Sequence, residues 1–195
     1  IIIIIIIGFN TYQETLEKTD NPISIIPSNS SVILQFNNAS NLNLLLTNTT
    51  IWQQLLNINH LKIVDNNINK ISKFLKENQN IFNKNSLFIS FHKISANSSS
   101  ILFSTNFSIK NISSQEELIN LFGNTLQEHN YDNKIIYQID NNGKEMFCSF
   151  KGNIFFFSSS KILVENVIKE SASDENLLTN PNFNLIYKTI SKSVD

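Results

Sequence analysis

His92 is the residue of this chain with most chemical potential. In the stretch Leu87-Phe88-Ile89-Ser90-Phe91-His92-Lys93 an extended strand puts Phe88, Ser90, His92 and Ile94 on one face and Leu87, Ile89 and Phe91 on the other. An imidazole with a serine and a carboxylate in reach would be the general base of a hydrolase. Serine is abundant and Asp65, Asp132 and Asp140 are available, so such a constellation can be assembled on paper and spacing selects none. The competing role is a hydrogen-bonded structural histidine, and the sequence favours it.

Other candidate chemistry is thin. His60, His92 and His129 lie in different elements, none with a second ligand at metal spacing, so no metal site is expected. The chain has no G-x-S-x-G elbow, Gly-rich phosphate loop or H-E-x-x-H sequence, and only four glycines; no cofactor is expected. The adjacent carboxylates Glu116 and Glu117 follow Ser114 as a helix capping box, which accounts for them. Six N-x-S/T triplets are the number chance gives in a chain with 32 asparagines and many hydroxyl residues. In the run Phe155-Phe156-Phe157 a strand would place Phe155 and Phe157 on one face, a candidate interaction patch if that face stays open.

Bulk composition narrows the function classes. The net charge is −1, so there is no basic surplus of the kind that neutralises phosphates, and nucleic acid is not an expected partner. All 15 basic residues are Lys; the lack of Arg, with Ile, Asn, Lys and Phe in excess, is the mark of an AT-rich genome. The single cysteine, Cys148, lies in an apolar strand pattern and has no intramolecular partner for a disulfide. Residues 1–9, seven isoleucines closed by Gly8 and Phe9, are the only apolar block of their kind in the chain. A membrane helix takes about 20 apolar residues, so this block is expected to be the remnant of a longer anchor or signal segment. No small-residue cleavage site or lipoprotein cysteine follows, which favours an uncleaved anchor.

The elements that must position these residues follow from periodicity and punctuation. Polar residues 10–30, with Pro22 and Pro27, read as a linker, and a single α+β domain is expected over 31–195. Alternation of Val32, Leu34 and Phe36 gives a first strand; a helix carrying Leu42, Leu45 and Leu46 and a short one with Ile51 and Trp52 follow. Ile58, Leu61, Val64, Ile68, Ile71 and Leu75 recur at three and four, the clearest helical pattern. Residues 86–94 and 100–109 form a hairpin, and Ser114 opens a helix bearing Leu118, Phe122 and Leu126. Strands at 134–140, 144–150 and 153–157 make a three-stranded meander, with Asn142-Gly143 as a two-residue turn and Gly152-Asn153 at the next reversal. Ser160 caps a helix with Ile162, Leu163, Val167 and Ile168, and Asn180-Pro181 starts one with Phe183, Ile186, Tyr187 and Ile190. The order lacks βαβ alternation, so the expected fold is α+β, a largely antiparallel sheet with helices on one face.

Four stretches then carry a resemblance: Ile26-Pro27-Ser28 leading into Val32-Ile33-Leu34-Gln35-Phe36-Asn37-Asn38; Ile51-Trp52; Leu87 through Lys93; and Leu177-Leu178 through Asn182-Phe183 to Tyr187-Lys188. Together they resemble bacterial domain-of-unknown-function family 3352 over most of 25–195. The resemblance implies a membrane-anchored, exported protein without assigned activity, and supplies no catalytic residues. The expectation is therefore a binding or scaffolding module in the bacterial cell envelope, held by its N-terminal segment, outside the cytoplasm, with another envelope protein as partner. An envelope hydrolase using His92 is the alternative. The chain is also expected to be truncated after Asp195, because the final helix ends with an apolar stripe to cover and the resembling family continues into a further strand.

Overall fold

The computed structural model describes residues 21–37, 42, 50, 54, 62–82, 85–96, 98–107, 112, 114–140, 143, 145–173 and 176–190. The apolar segment 1–9, the helices proposed around Leu45 and Trp52, His60, and the C-terminal residues 191–195 lie outside them. Seven strands form one antiparallel sheet: β1 (Ser30–Phe36), β2 (Leu87–Ser95), β3 (Ser98–Asn106), β4 (Asn124–Tyr131), β5 (Lys134–Asp140), β6 (Glu145–Lys151) and β7 (Ile154–Ser158). Their spatial order is β1-β2-β3-β7-β6-β5-β4. Two consecutive antiparallel runs, β1 to β3 and β4 to β7, are thus joined where β3 pairs with β7, Phe103 opposite Phe157 and Thr105 opposite Phe155. The α+β class holds, with a sheet larger than the three-stranded meander.

Turn chemistry explains most of the second run. Between β4 and β5, Asp132 (φ 48°) and Asn133 (φ 58°) both occupy the left-handed region, the pattern of a type I′ hairpin turn. Between β6 and β7 only Gly152 (φ 57°) does so, as in type II′. At the reversal between β5 and β6, Asp140 pairs with Glu145, Gly143 (φ 76°) takes the left-handed conformation and Asp140 Oδ1 accepts from Gly143 N at 2.8 Å, while Asn142 lies outside the described residues.

β4 is an addition to the expected order. The helix opened by Ser114, here α3 (Gln115–Phe122), stops before Leu126, and Gly123 is fully extended. Leu126, placed on the helical stripe by its i+4 spacing from Phe122, is instead 57 % exposed on an edge strand. The I′ turn fixes β4 against β5 and outweighs the helical spacing.

Helices lie on both faces of the sheet, not one. On the first face, α1 (Lys62–Glu77), α2 (Gln79–Phe82) and α3 bury Ile68, Leu75, Phe82, Leu118 and Phe122 with Leu87, Ile89 and Phe103. On the second, α4 (Lys161–Ser171) buries Leu163, Val164, Val167 and Ile168 against Phe88, Leu102 and Phe156. Ser160 caps α4, its Oγ accepting from Leu163 N at 3.3 Å. α5 (Pro181–Thr189) is capped by Asn180 and buries none of its residues fully; Phe183 and Tyr187 are half-buried, while Ile186 and Ile190 of the expected stripe are exposed.

Residues 21–29, expected within a linker, belong to the fold. A 3-10 turn, Pro22–Ile25, is capped by Asn21 and lies over the second face, with Ile23, Ile25 and Ile26 almost wholly buried. Ser104 Oγ donates to Pro22 O, and Glu170 of α4 accepts from Ser28 N at 3.0 Å. Three isoleucines offset the ordering of a Pro-bearing segment that by composition alone reads as a tether.

Candidate functional site

Beneath that segment His92 sits on β2 with Ser90, both facing the second side of the sheet as alternation requires. Ser90 is opposite Leu102 of β3, and His92 is flanked by Ser100 of β3 and Ser30 of β1. The imidazole uses both nitrogens: Nδ1 lies 3.0 Å from Asn29 Oδ1 and Nε2 lies 2.8 Å from Ser90 Oγ. An amide oxygen only accepts, so Nδ1 carries the proton and Nε2 takes the Ser90 hydroxyl as donor. The connectivity, hydroxyl to imidazole to a third orienting group, is that of an activated nucleophile with an amide in place of a carboxylate.

Access decides what this array can do. Ser90 and His92 are 0 % and 1 % exposed, so neither solvent nor a substrate reaches the hydroxyl. Burial pushes the imidazole down from its ordinary 6.5 to about 4, which keeps it neutral at physiological pH. No carboxylate is among its hydrogen-bond partners; Asp132 lies in the β4–β5 turn and Asp140 bonds Gly143, while the side chain of Asp65 lies outside the described residues.

The array belongs to a wider polar seam. Ser158 Oγ donates to Ile101 O at 2.7 Å and accepts from Ser160 N, with Ser100 Oγ 3.1 Å away. Ser149 Oγ donates to Ile135 O at 2.7 Å. Among the described residues every buried side-chain nitrogen and oxygen has a partner. Such complete satisfaction is what buried polar groups require to be tolerated in a core.

The phenylalanine patch is overturned. Phe155 and Phe157 are 0 % and 1 % exposed, and Phe156, on the opposite face, is 1 % exposed. Phe122 of α3 covers the first pair, with ring centroids 5.4 Å from Phe155 and 4.5 Å from Phe157, and Phe103 stacks on Phe157 at 5.0 Å. Helices on both faces leave neither set of side chains free. The remaining candidates are local: Ser114 Oγ accepts from Glu117 N at 3.1 Å, as the cap requires, and a shallow depression there is lined by Glu116, Glu117, Asn120 and Leu121. His129 Nε2 meets Gln138 Oε1 at 2.6 Å, and Gln138 Nε2 donates to Glu145 Oε1, a chain across β4, β5 and β6. Cys148 is fully buried, and burial pushes its thiol up, far from a reactive thiolate. Among the described residues no group of three His, Cys, Asp or Glu could hold a metal ion.

Sequence reasoning missed Asn29, 63 positions from His92 and inside a stretch read as linker. Its Ser-Asn-Ser-Ser context signals a turn and nothing about a distant imidazole. Compared with known protein families, with characterised proteins and with solved structures, the chain finds no match. No helix among the described residues is long and apolar enough to cross a membrane.

Proposed function

We propose that this chain is an exported domain of the bacterial cell envelope, tethered to the membrane by the apolar segment 1–9, that acts by binding or scaffolding. The observation that carries the non-catalytic part is the burial of Ser90 and His92, whose only hydrogen bonds outside their own pair and the sheet lead to Asn29 and so hold the N-terminal turn in place. The apolar terminus supplies the tether, and the resemblance to domain-of-unknown-function family 3352, exported and without assigned chemistry, points the same way. The order of the chain, apolar segment then polar residues 10–20 then folded domain, favours delivery of the domain across the membrane. Protease added to intact spheroplasts should digest it; full protection while an exported control is degraded would reject the reading. Crosslinking in the native membrane then identifies what it binds.

A second reading is an envelope hydrolase, favoured by one observation, the serine-imidazole-amide connectivity at Ser90, His92 and Asn29. It requires displacement of residues 21–29 to open the hydroxyl. Loss of a measured hydrolysis in a His92→Gln protein with an unchanged melting midpoint would establish it.

A further inference from the structure

α5 departs from the rule that a surface helix turns charge to solvent. Phe183 and Tyr187, one turn apart, face the second core, their rings stacked with centroids 6.0 Å apart. At about 100° per residue, the opposite side carries Pro181, Asn182, Leu185, Lys188 and Thr189, with Ile186 on the flank between the two sides. Leu185 is 68 % exposed, Ile186 63 % and Ile190, at the C-cap, 57 %. The stretch Leu177 through Ile190 contains no Asp or Glu, and its one charge is Lys188. The exposed surface of this helix and its C-cap therefore shows three aliphatic side chains, Leu185, Ile186 and Ile190, among neutral polar groups and one cation, and no acidic group.

Chain continuity says what lies opposite. Asn21, the first described residue, donates from Nδ2 to Tyr187 Oη at 3.5 Å, so the segment bearing the isoleucine run meets the domain at α5 itself. Only residues 10–20 separate that contact from the apolar block, a reach of at most about 40 Å fully extended. With residues 1–9 in a bilayer, α5 is the part of the domain at the root of the tether. A patch of three aliphatic side chains is too small to recruit a free protein, but a tether this short makes its encounter with the lipid surface intramolecular.

We propose that the Leu185, Ile186 and Ile190 face of α5 rests in the interfacial layer of the membrane, its occupant being lipid. This rests on the anchor reading above.

The test uses the full 195-residue chain reconstituted into phosphatidylcholine vesicles containing phosphatidylglycerol, with Ile186→Cys carrying an environment-sensitive fluorophore. The exposed Leu126→Cys on β4 serves as reference, and buried Cys148 takes no label. The expected result is a blue shift at position 186 and loss of most of its emission when the lipids carry brominated acyl chains, with position 126 unchanged. A Leu185→Asn substitution in the labelled protein should diminish both effects while the vesicles still carry the chain in flotation. Flotation without quenching at 186 overturns the docking and leaves the anchor standing. Failure to float overturns both. A blue shift insensitive to brominated lipid, with dimers in sedimentation, overturns lipid in favour of a second copy.

Discussion

The two faces of the sheet bury their apolar side chains by different means. The first is a phenyl stack in which Phe74, Phe82, Phe103, Phe122, Phe150, Phe155 and Phe157 contact one another ring to ring. The second mixes Phe88, Leu102 and Phe156 with Ser90, His92, Ser104, Ser149 and Ser158. Non-directional packing suffices on the first face, where any helix with large apolar residues at the right spacing is an adequate cover. The second face carries hydroxyls and an imidazole that must each be met by a particular atom, so its cover is specific: Asn29, Pro22 O and the strand carbonyls. The first face thus provides stability, and the second selects which segment covers it.

Truncation on the first face should give the largest effect. Phe157→Ala removes a ring stacked on Phe103 and covered by Phe122 and should cost about 3–5 kcal/mol in urea unfolding. A loss below about 1 kcal/mol would mean that this face does not dominate stability.

The second face should show itself through pH. The His92 imidazole titrates near 4 in the folded chain and near 6.5 when unfolded, so the unfolded state takes the proton first as pH falls. Its contribution is fully present above pH 6.5, declines between 6.5 and about 4, and is flat below; the total is about 3 kcal/mol. Unfolding curves of the wild type and His92→Gln, compared across that window, should draw together and then cross as pH falls, because the wild type loses more to protonation than the variant loses at neutral pH. A constant gap would place the imidazole in water.

At neutral pH, His92→Gln should itself cost on the order of 1 kcal/mol through one weakened buried hydrogen bond. Proteolysis in the 21–29 segment should accelerate with it, because Asn29 loses its partner. Unchanged cleavage there would remove the specific-cover argument.

The smallest effect should come from the sheet edge that neither cover reaches. Leu126→Asn, on exposed β4, should change stability by less than about 0.5 kcal/mol. A loss of several kcal/mol would restore Leu126 to the buried stripe of a longer α3 and break the β4 assignment.

Local signals carried much of the architecture. The hairpin of β2 and β3, the strands β5 to β7, and the caps at Ser114, Ser160 and Asn180 were all readable, because alternation and capping involve residues a few positions apart. The α+β class followed from their order. Sequence also placed Ser90 and His92 on one strand face, since a two-residue period requires it.

What sequence could not supply was the neighbour across space. That Phe155 and Phe157 lie under Phe122, and are no surface, depends on helices closing both sides of the sheet. That Pro22–Ile25 is core and no tether depends on a second face rich enough in apolar area and unmet hydrogen bonds to order it. His92 could be a base or a strut on its sequence alone; burial and the Asn29 contact made it a strut, because desolvation and partner geometry are properties of the assembled fold. Residue types and short spacings determined which groups were available, and tertiary structure decided which of them water can reach.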